Sequence, residues 1–185
     1  IAATGIERIR FATSHPKDLN DDVIKAFGEL DNLMPALHLP VQSGSNSILK
    51  AMHRRYTREH YLDTIKKLRE VRPDIALSTD IIVGFPAETE EDFQQTYDLV
   101  KEVGYTQVFT FIYSKREGTP AARIEDDTPK EVIQERFERL VNLVQDRALE
   151  VNQAEVGKVV SVLVEGASKR DETVLMGRSP KNLTV

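Results

Sequence analysis

Residues 78–93 read S-T-D-I-I-V-G-F-P-A-E-T-E-E-D-F, and this stretch decides the predicted fold. The apolar run Ile81-Ile82-Val83 predicts the end of a buried strand, and the glycine and proline after it predict a turn. Thr89 and the three acids that follow predict a helix start, because a hydroxyl cap and negative charge both stabilise helix N-termini. The stretch is therefore one strand–turn–helix unit.

The same alternation continues on both sides of this unit. Strands are predicted at residues 6–11, 37–41, 75–83 and 108–113, and helices are predicted after Asn20, Thr57, Thr89 and Thr128, the last with a capping box and Pro129 at its first position. Apolar strands that alternate with helices indicate an α/β fold with a parallel sheet, either open or part of a barrel.

The pattern changes after the last helix. Two further strands are predicted at residues 158–164 and 173–178, joined by a polar turn. The chain is therefore divided into residues 1–155 and the start of a second, β-rich module at residues 156–185, which is too short to fold alone.

The amino-acid composition excludes several classes of function. With 40% hydrophobic and 30% charged residues, no long apolar run and no visible signal peptide, the chain is expected to be soluble and cytoplasmic, without membrane partners. It contains no cysteine, which excludes disulfides and cysteine-held iron–sulfur clusters within these 185 residues. The net charge is −5, yet residues 157–185 carry five basic and three acidic residues. This tail suits either nucleic-acid contact or an ordinary solvated surface.

Polar residues follow each predicted strand, where parallel α/β folds bind their ligands. Gln42 and Asp80 can each engage a diol, and Arg54 can hold a carboxylate with its guanidinium fork. Arg54 is expected about three turns into the helix after Gln42. The plainer alternatives are a strand carboxylate satisfied by its neighbours for Asp80, and surface charge for Arg54.

Several other mechanisms lack their motifs. The sequence has no Walker loop, no G-x-G-x-x-G, no Gly-x-Ser-x-Gly elbow and no H-E-x-x-H spacing among its four histidines. A phosphate-binding barrel that uses the G-F-P turn and helix start is a further alternative, but the acids at residues 90–92 would repel an anion there.

Four segments together resemble the radical S-adenosylmethionine (SAM) methylthiotransferases. They are R-I-R-F-A-T-S-H-P (8–16), L-H-L-P-V-Q-S-G-S (37–45), residues 78–93, and F-I-Y-S-K-R-E-G-T-P-A (111–121). T-S-H-P favours the branch that modifies tRNA over the one that modifies a ribosomal protein. V-G-K-V-V-S-V-L-V-E-G (156–166) and L-M-G-R-S (175–179) resemble the opening of a TRAM domain, a small RNA-binding β-barrel.

The resemblance implies part of a six-stranded (β/α) barrel and a defined chemistry. A parent enzyme would cleave SAM reductively at a 4Fe-4S cluster, using an external electron donor. The radical formed would abstract hydrogen from C2 of an isopentenylated adenosine beside the tRNA anticodon, where a methylthio group is added. Threonylcarbamoyladenosine or a ribosomal protein remain alternative substrates, and a non-catalytic RNA-binding segment is an alternative of another class.

Site residues follow from the same resemblance. It implies that Gln42, Ser43, Arg54 and Asp80 hold the ribose and carboxylate of SAM, and that Ile82 and Gly84 border its adenine. The anticodon stem-loop would meet the basic residues of the tail, namely Lys158, Lys169, Arg170, Arg178 and Lys181.

The sequence departs from the family in lacking the C-x-x-x-C-x-x-C cluster loop, the first two barrel strands and the N-terminal domain. The chain alone is therefore expected not to cleave SAM. Four strands would also leave two open sheet edges, which are expected to be covered by a partner or by self-association.

Overall fold

The computed structural model describes residues 2–13 and 15–185, except for the side chain of Ala2. Ile1 and Ser14, the second residue of T-S-H-P, lie outside the described residues. The strands are β1 (Ile9–Ala12), β2 (Leu33–His38), β3 (Ala76–Val83), β4 (Gln107–Ile112), β5 (Leu163–Ala167) and β6 (Leu175–Arg178). The helices are α1 (Asp21–Glu29), α2 (Asn46–Ala51), α3 (Arg58–Val71), α4 (Glu90–Val103) and α5 (Lys130–Gln153), with short 3₁₀ turns at Ala2–Thr4, Pro16–Asp18 and Pro120–Arg123.

Strands β1 to β4 form one parallel sheet in the order of the chain, which confirms the predicted α/β arrangement. Successive side chains of β3 point to opposite faces of the sheet. Leu77, Ile81 and Val83 are buried in the core with apolar residues of the helices. The opposite face carries Arg10, His38, Ser78, Asp80 and Phe109, and we call it the cavity face because these side chains line open cavities.

The second strand differs most from its prediction. It begins at Leu33 and includes Pro35, which cannot donate a ladder hydrogen bond. The strand tolerates this proline through an irregularity in the register. Between the pairs Ile9↔Leu33 and Phe11↔Leu37, one residue of β1 lies opposite three residues of β2. Residues 39–41, predicted as strand, have left the regular ladder.

Helix ends follow the capping rules in one case and not in another. Thr89 and Asp92 form the reciprocal capping box at α4, and Gly104 ends that helix with a left-handed φ of 60°. The capping box predicted at Thr128 is wrong. The Thr128 hydroxyl bonds Asp126 Oδ1 at 2.6 Å instead, and Pro129 occupies the cap position without a side-chain hydrogen bond.

The C-terminal segment forms an antiparallel hairpin of β5 and β6 beside β1. Strand β5 begins five residues later than the predicted 158–164, whereas β6 lies within the predicted 173–178 and ends at Arg178 as predicted. Arg8 donates to the Arg178 carbonyl at 3.0 Å, and Arg10 donates to Asn182 Oδ1 at 2.6 Å. These bonds attach the hairpin to the first strand of the sheet.

The sheet has two edges, at β1 and β4, within the described residues. On β4, Phe109 and Phe111 are 41% and 51% exposed. No helix in the described part of the chain is long and apolar enough to cross a membrane.

Candidate cofactor site

Two adjoining cavities lie at the carboxyl ends of the strands. The larger, about 530 Å³, is lined by Gln42, Asp80, Ile82, Tyr113 and Arg116 among others. The smaller, about 280 Å³, is lined by Gln42, Ile82 and Arg54. Because Gln42 and Ile82 border both, the structure brings the three residues Gln42, Arg54 and Asp80 to one continuous surface.

Gln42 is held in an unusual backbone conformation. Its φ is +72°, the left-handed region that non-glycine residues rarely adopt. Its N–H donates to the Asp80 carbonyl and its carbonyl accepts from Ile82 N–H, both at 2.9 Å. The residue is only 8% exposed, and its side-chain amide has no hydrogen-bond partner among the described residues. An unpaired amide at a cavity wall can both donate to and accept from a ligand.

Arg54 reaches the cavity by a different route from the predicted one. Helix α2 ends at Ala51, so Arg54 does not lie three turns into a helix. The chain reverses at His53, with φ of +57°, and Arg54 N–H donates to the Leu49 carbonyl at 2.8 Å. The guanidinium is half-buried and has no ion pair or hydrogen bond with any residue that the structure describes. It is available to an anionic ligand group.

Asp80 projects from β3 on the cavity face. Its carboxylate lies 3.6 Å from His38 Nε2, and no arginine contacts it within the described chain. The plainer alternative, a strand carboxylate satisfied by its neighbours, therefore has little support. Most of the hydrogen-bonding capacity of Asp80 is open toward the cavity.

The remaining predicted site residues differ in access. Ile82 lines both cavities. The Ser43 hydroxyl does not face the cavities, because it is fully buried, lies 3.2 Å from Thr96 Oγ1 and accepts the Ser45 N–H at 3.1 Å. Gly84 has φ of +71°, and its N–H is already bonded to Glu88 Oε2 at 2.8 Å. Any contact of Ser43 or Gly84 with a ligand would have to use other backbone atoms.

A buried acid next to the site was not predicted from the sequence. Glu88 is 3% exposed, and its Oε1 has no partner among the described residues. Arg136 of α5 donates to the Glu88 carbonyl at 2.9 Å and to Glu90 Oε2 at 2.9 Å, and lies 3.7 Å from Glu88 Oε2. Burial raises the pKa of Glu88 to about 7, against the opposing effects of the Gly84 N–H and Arg136. The sequence could have indicated this contact only through the helical periodicity of α5, which brings Arg136 back to the turn that contains Glu88.

The N-terminus of α4 is already occupied by its own acid. Burial alone would raise the pKa of Asp92, but hydrogen bonds from Ser45, Ser47 and Thr89 outweigh it and lower the pKa to about 2. This ionised carboxylate fills the position that a phosphate would need.

The basic residues of the tail do not form one cluster. Lys158 and Lys181 both pair with Glu155, and Arg178 pairs with Glu165 at 3.2 Å. Lys169 and Arg170 lie in the turn between β5 and β6 and are exposed. This pair at the hairpin tip has no ion pair within the described residues, unlike the other three basic residues of the set.

The 185 residues offer no set of ligands for an iron–sulfur cluster. They include no cysteine, and no group of three histidine or acidic residues with metal-binding geometry occurs in the described part of the chain. No chemical step can be assigned to a cluster from these residues.

Comparison with known proteins gives a consistent result. The radical SAM superfamily matches residues 1–100. A curated protein from Clostridium botulinum, named tRNA-2-methylthio-N(6)-dimethylallyladenosine synthase, is 58% identical over 175 residues. Proteins of the same name from Alkaliphilus oremlandii and Clostridium perfringens are each 56% identical. The alignments cover 95–98% of this chain but only 38–39% of these relatives.

Among solved structures that share the fold is an enzyme named for its own reaction. Coproporphyrinogen III oxidase from Escherichia coli, described as a radical SAM enzyme, superposes with a TM-score of 0.61 at 18% identity. The match covers 76% of this chain and 32% of that one. At this identity the likeness concerns the fold alone.

Proposed function

The chain belongs to the radical SAM superfamily, and from this premise we propose that it is part of a methylthiotransferase that modifies tRNA. The substrate would be an isopentenylated adenosine beside the anticodon, and the product its 2-methylthio derivative. The name shared by relatives 56–58% identical to this chain favours this nucleoside over threonylcarbamoyladenosine or a ribosomal protein. The setting would be the cytoplasm, with an external electron donor.

The role proposed for these 185 residues is to hold SAM. The observation that carries the proposal is the convergence of Gln42, Arg54 and Asp80, none saturated with partners, on two adjoining cavities. Asp80 would accept hydrogen bonds from the ribose hydroxyls, and Gln42 would complete the polar contacts beside it. Arg54 would meet the methionyl carboxylate, and Ile82 would pack against the adenine.

The chemistry itself depends on groups beyond this chain's side chains. When bound together, SAM and a 4Fe-4S cluster supply hydrogen-abstracting radical chemistry, and SAM also supplies the methyl group. Thiolate ligands for the cluster would come from outside these 185 residues. The residues of this chain would bind and orient the ribose, the adenine and the methionyl carboxylate of SAM.

The hairpin of β5 and β6 is proposed to be the start of a TRAM domain, following residues 1–155 of the barrel. Lys169 and Arg170, exposed at its tip, are the residues proposed to contact the anticodon stem-loop. Reversing both charges should weaken tRNA binding and reduce its salt dependence by about two phosphate contacts. Unchanged affinity and salt slope would exclude the hairpin from the interface.

The SAM site can be tested with two related ligands. SAM and 5′-methylthioadenosine share adenine and ribose, but only SAM carries the methionyl carboxylate. Arg54→Ala should weaken SAM binding by about tenfold to a hundredfold and leave methylthioadenosine binding unchanged, since a charge-assisted bidentate contact contributes about 1.5–3 kcal/mol. Asp80→Asn should weaken both ligands. Ligand-detected NMR titration of the purified chain measures each dissociation constant.

Arg55→Ala is the matched control, because Arg55 is the next residue, is exposed and has no ion pair in the described structure. It should bind both ligands as the wild type does. Equal losses in the Arg54 and Arg55 variants, or equal losses for the two ligands in Arg54→Ala, would remove the proposed carboxylate contact. No binding of either ligand to the wild-type chain would overturn the site.

A further inference from the structure

His38 ends β2 on the cavity face and is held firmly in place. Its carbonyl accepts from Thr13 N–H at 3.3 Å, and the next residue, Leu39, donates its N–H to the Ser78 carbonyl at 2.8 Å. The imidazole packs edge-on against Phe109, with 5.9 Å between the ring centroids. Backbone and ring contacts therefore fix which way the imidazole nitrogens point.

The two nitrogens of this ring meet different groups. Nδ1 lies 3.0 Å from the Ser78 hydroxyl, and Nε2 lies 3.6 Å from Asp80 Oδ2. An ionised carboxylate only accepts, so the proton must sit on Nε2 for the contact to be attractive. In the neutral ring Nδ1 then accepts from the Ser78 O–H, so the carboxylate selects the tautomer and the hydroxyl, which can donate or accept, accommodates it.

Besides the contact with His38, the Asp80 carboxylate has no ion pair and no hydrogen bond with any residue that the structure describes. At 3.6 Å the contact is longer than a hydrogen bond, so it orients the carboxylate without saturating it. The second oxygen and the remaining lone pairs stay open to the larger cavity, which Asp80 lines.

We propose that His38 is a positioning residue that orients the Asp80 carboxylate toward the ribose hydroxyls of the bound nucleoside. The inference rests on the proposed SAM site and adds a Ser78–His38–Asp80 relay to it. The relay restricts the rotation of Asp80 before ligand arrives, and so reduces the ordering cost of binding.

Two substitutions at His38 separate this role from simple packing. The amide nitrogen of His38→Gln can occupy the position of Nε2 and still donate toward Asp80. His38→Asn is shorter and can reach only the Ser78 side. With 5′-methylthioadenosine as the probe, His38→Asn should weaken binding about fivefold to tenfold, and His38→Gln less than about twofold.

The double variant with Asp80→Asn completes the experiment. In the Asp80→Asn background, His38→Asn should cause no further loss, because the carboxylate that it orients is gone. The free chain gives a second readout, since Asp80→Asn should shift the His38 Nε2 resonance in a ¹⁵N imidazole spectrum. Thermal unfolding by circular dichroism checks that each variant is folded.

Equal losses in His38→Gln and His38→Asn, or the same loss in both Asp80 backgrounds, would refute the relay while leaving the SAM site standing. A wild-type chain that binds no methylthioadenosine would overturn the site and the relay together. An unshifted His38 resonance in Asp80→Asn would show that the two groups are not coupled in the free protein.

Discussion

Replacing Glu88 by glutamine should make the protein more stable relative to wild type as the pH rises. Glu88 is buried at 3% exposure beside the turn that follows β3, and burial raises its pKa from 4.5 to about 7. Between pH 4.5 and about pH 7, Glu88 keeps its proton in the folded chain and releases it in the unfolded chain. Wild-type stability therefore falls with increasing pH through this window, and the loss is complete above about pH 7.

The magnitude follows from the size of the shift. A rise from 4.5 to about 7 costs roughly 3 kcal/mol at pH 8, of which about 2–3 kcal/mol develops between pH 5 and pH 8. The glutamine side chain of the Glu88→Gln variant keeps an oxygen that accepts the Gly84 N–H and carries no charge to desolvate. Arg136 keeps its hydrogen bond to Glu90, so it is not left without a counter-charge.

Urea denaturation of wild type and Glu88→Gln at pH 5, 6, 7 and 8 tests the reasoning. The stability of the variant relative to wild type should increase by about 2–3 kcal/mol from pH 5 to pH 8. Glu91→Gln is the control, because Glu91 is an exposed acid in the first turn of α4 whose side chain has no ion pair or hydrogen bond in the described chain. A variant that loses several kcal/mol at pH 8, with no change in the difference across the series, would show that the Glu88–Arg136 ion pair outweighs the burial of the charge.

Three further predictions concern packing, charge and association. Gly44→Ala should cost about 2–4 kcal/mol in urea denaturation, because the added Cβ would lie 2.5 Å from the Gln95 carbonyl, and a cost below about 1 kcal/mol would contradict that close approach. Asp92→Asn should lower stability at pH 7 by about 1–2 kcal/mol, and because the pKa of Asp92 is depressed to about 2, the difference should shrink as the pH falls from 3.8 toward 2. A stability difference between Asp92→Asn and wild type that persists at pH 2 would show that the loss comes from packing and not from charge. Phe111→Lys should shift the sedimentation of a self-associating chain toward the monomer, since Phe111 is 51% exposed on an edge strand, and a wild type that is already monomeric would disprove the predicted association.

The sequence predicted the elements well where burial sets a regular period. Four apolar runs form the four parallel strands. Helix α4 begins after Thr89, whose hydroxyl caps it, and ends before Gly104, which adopts the left-handed conformation. The prediction of secondary structure was weaker where one residue interrupts the regular pattern of buried side chains. The second strand was predicted from residue 37, whereas it begins at Leu33 and includes Pro35, which the irregular pairing of β2 with β1 permits.

The candidate site was predictable in its residues and less so in its geometry. Arg54 was identified for its charge, but its position depends on the left-handed turn at His53, which no local pattern indicated. Thr128 matched a capping box and yet bonds Asp126, because a nearby carboxylate offered a competing acceptor. Glu88 gave no signal at all, since its burial results from the return of α5 some 48 residues later in the chain.

The segment that leaves the regular ladder after β2 explains how the fold can expose an unsatisfied amide. Behind it, the hydroxyls of Tyr61 and Tyr56 donate to the carbonyls of Leu39 and Val41 at 3.0 and 2.9 Å. Those bonds replace the ladder partners that the segment has given up. On the cavity side no described residue satisfies the Gln42 side-chain amide. The backbone of Gln42 is also strained, at a cost of order 1 kcal/mol or more, because its φ is left-handed. A fold that satisfies the polar groups on one side of a segment and leaves them open on the other directs its hydrogen-bonding capacity toward the cavity, which supports the proposal that Gln42 binds a ligand.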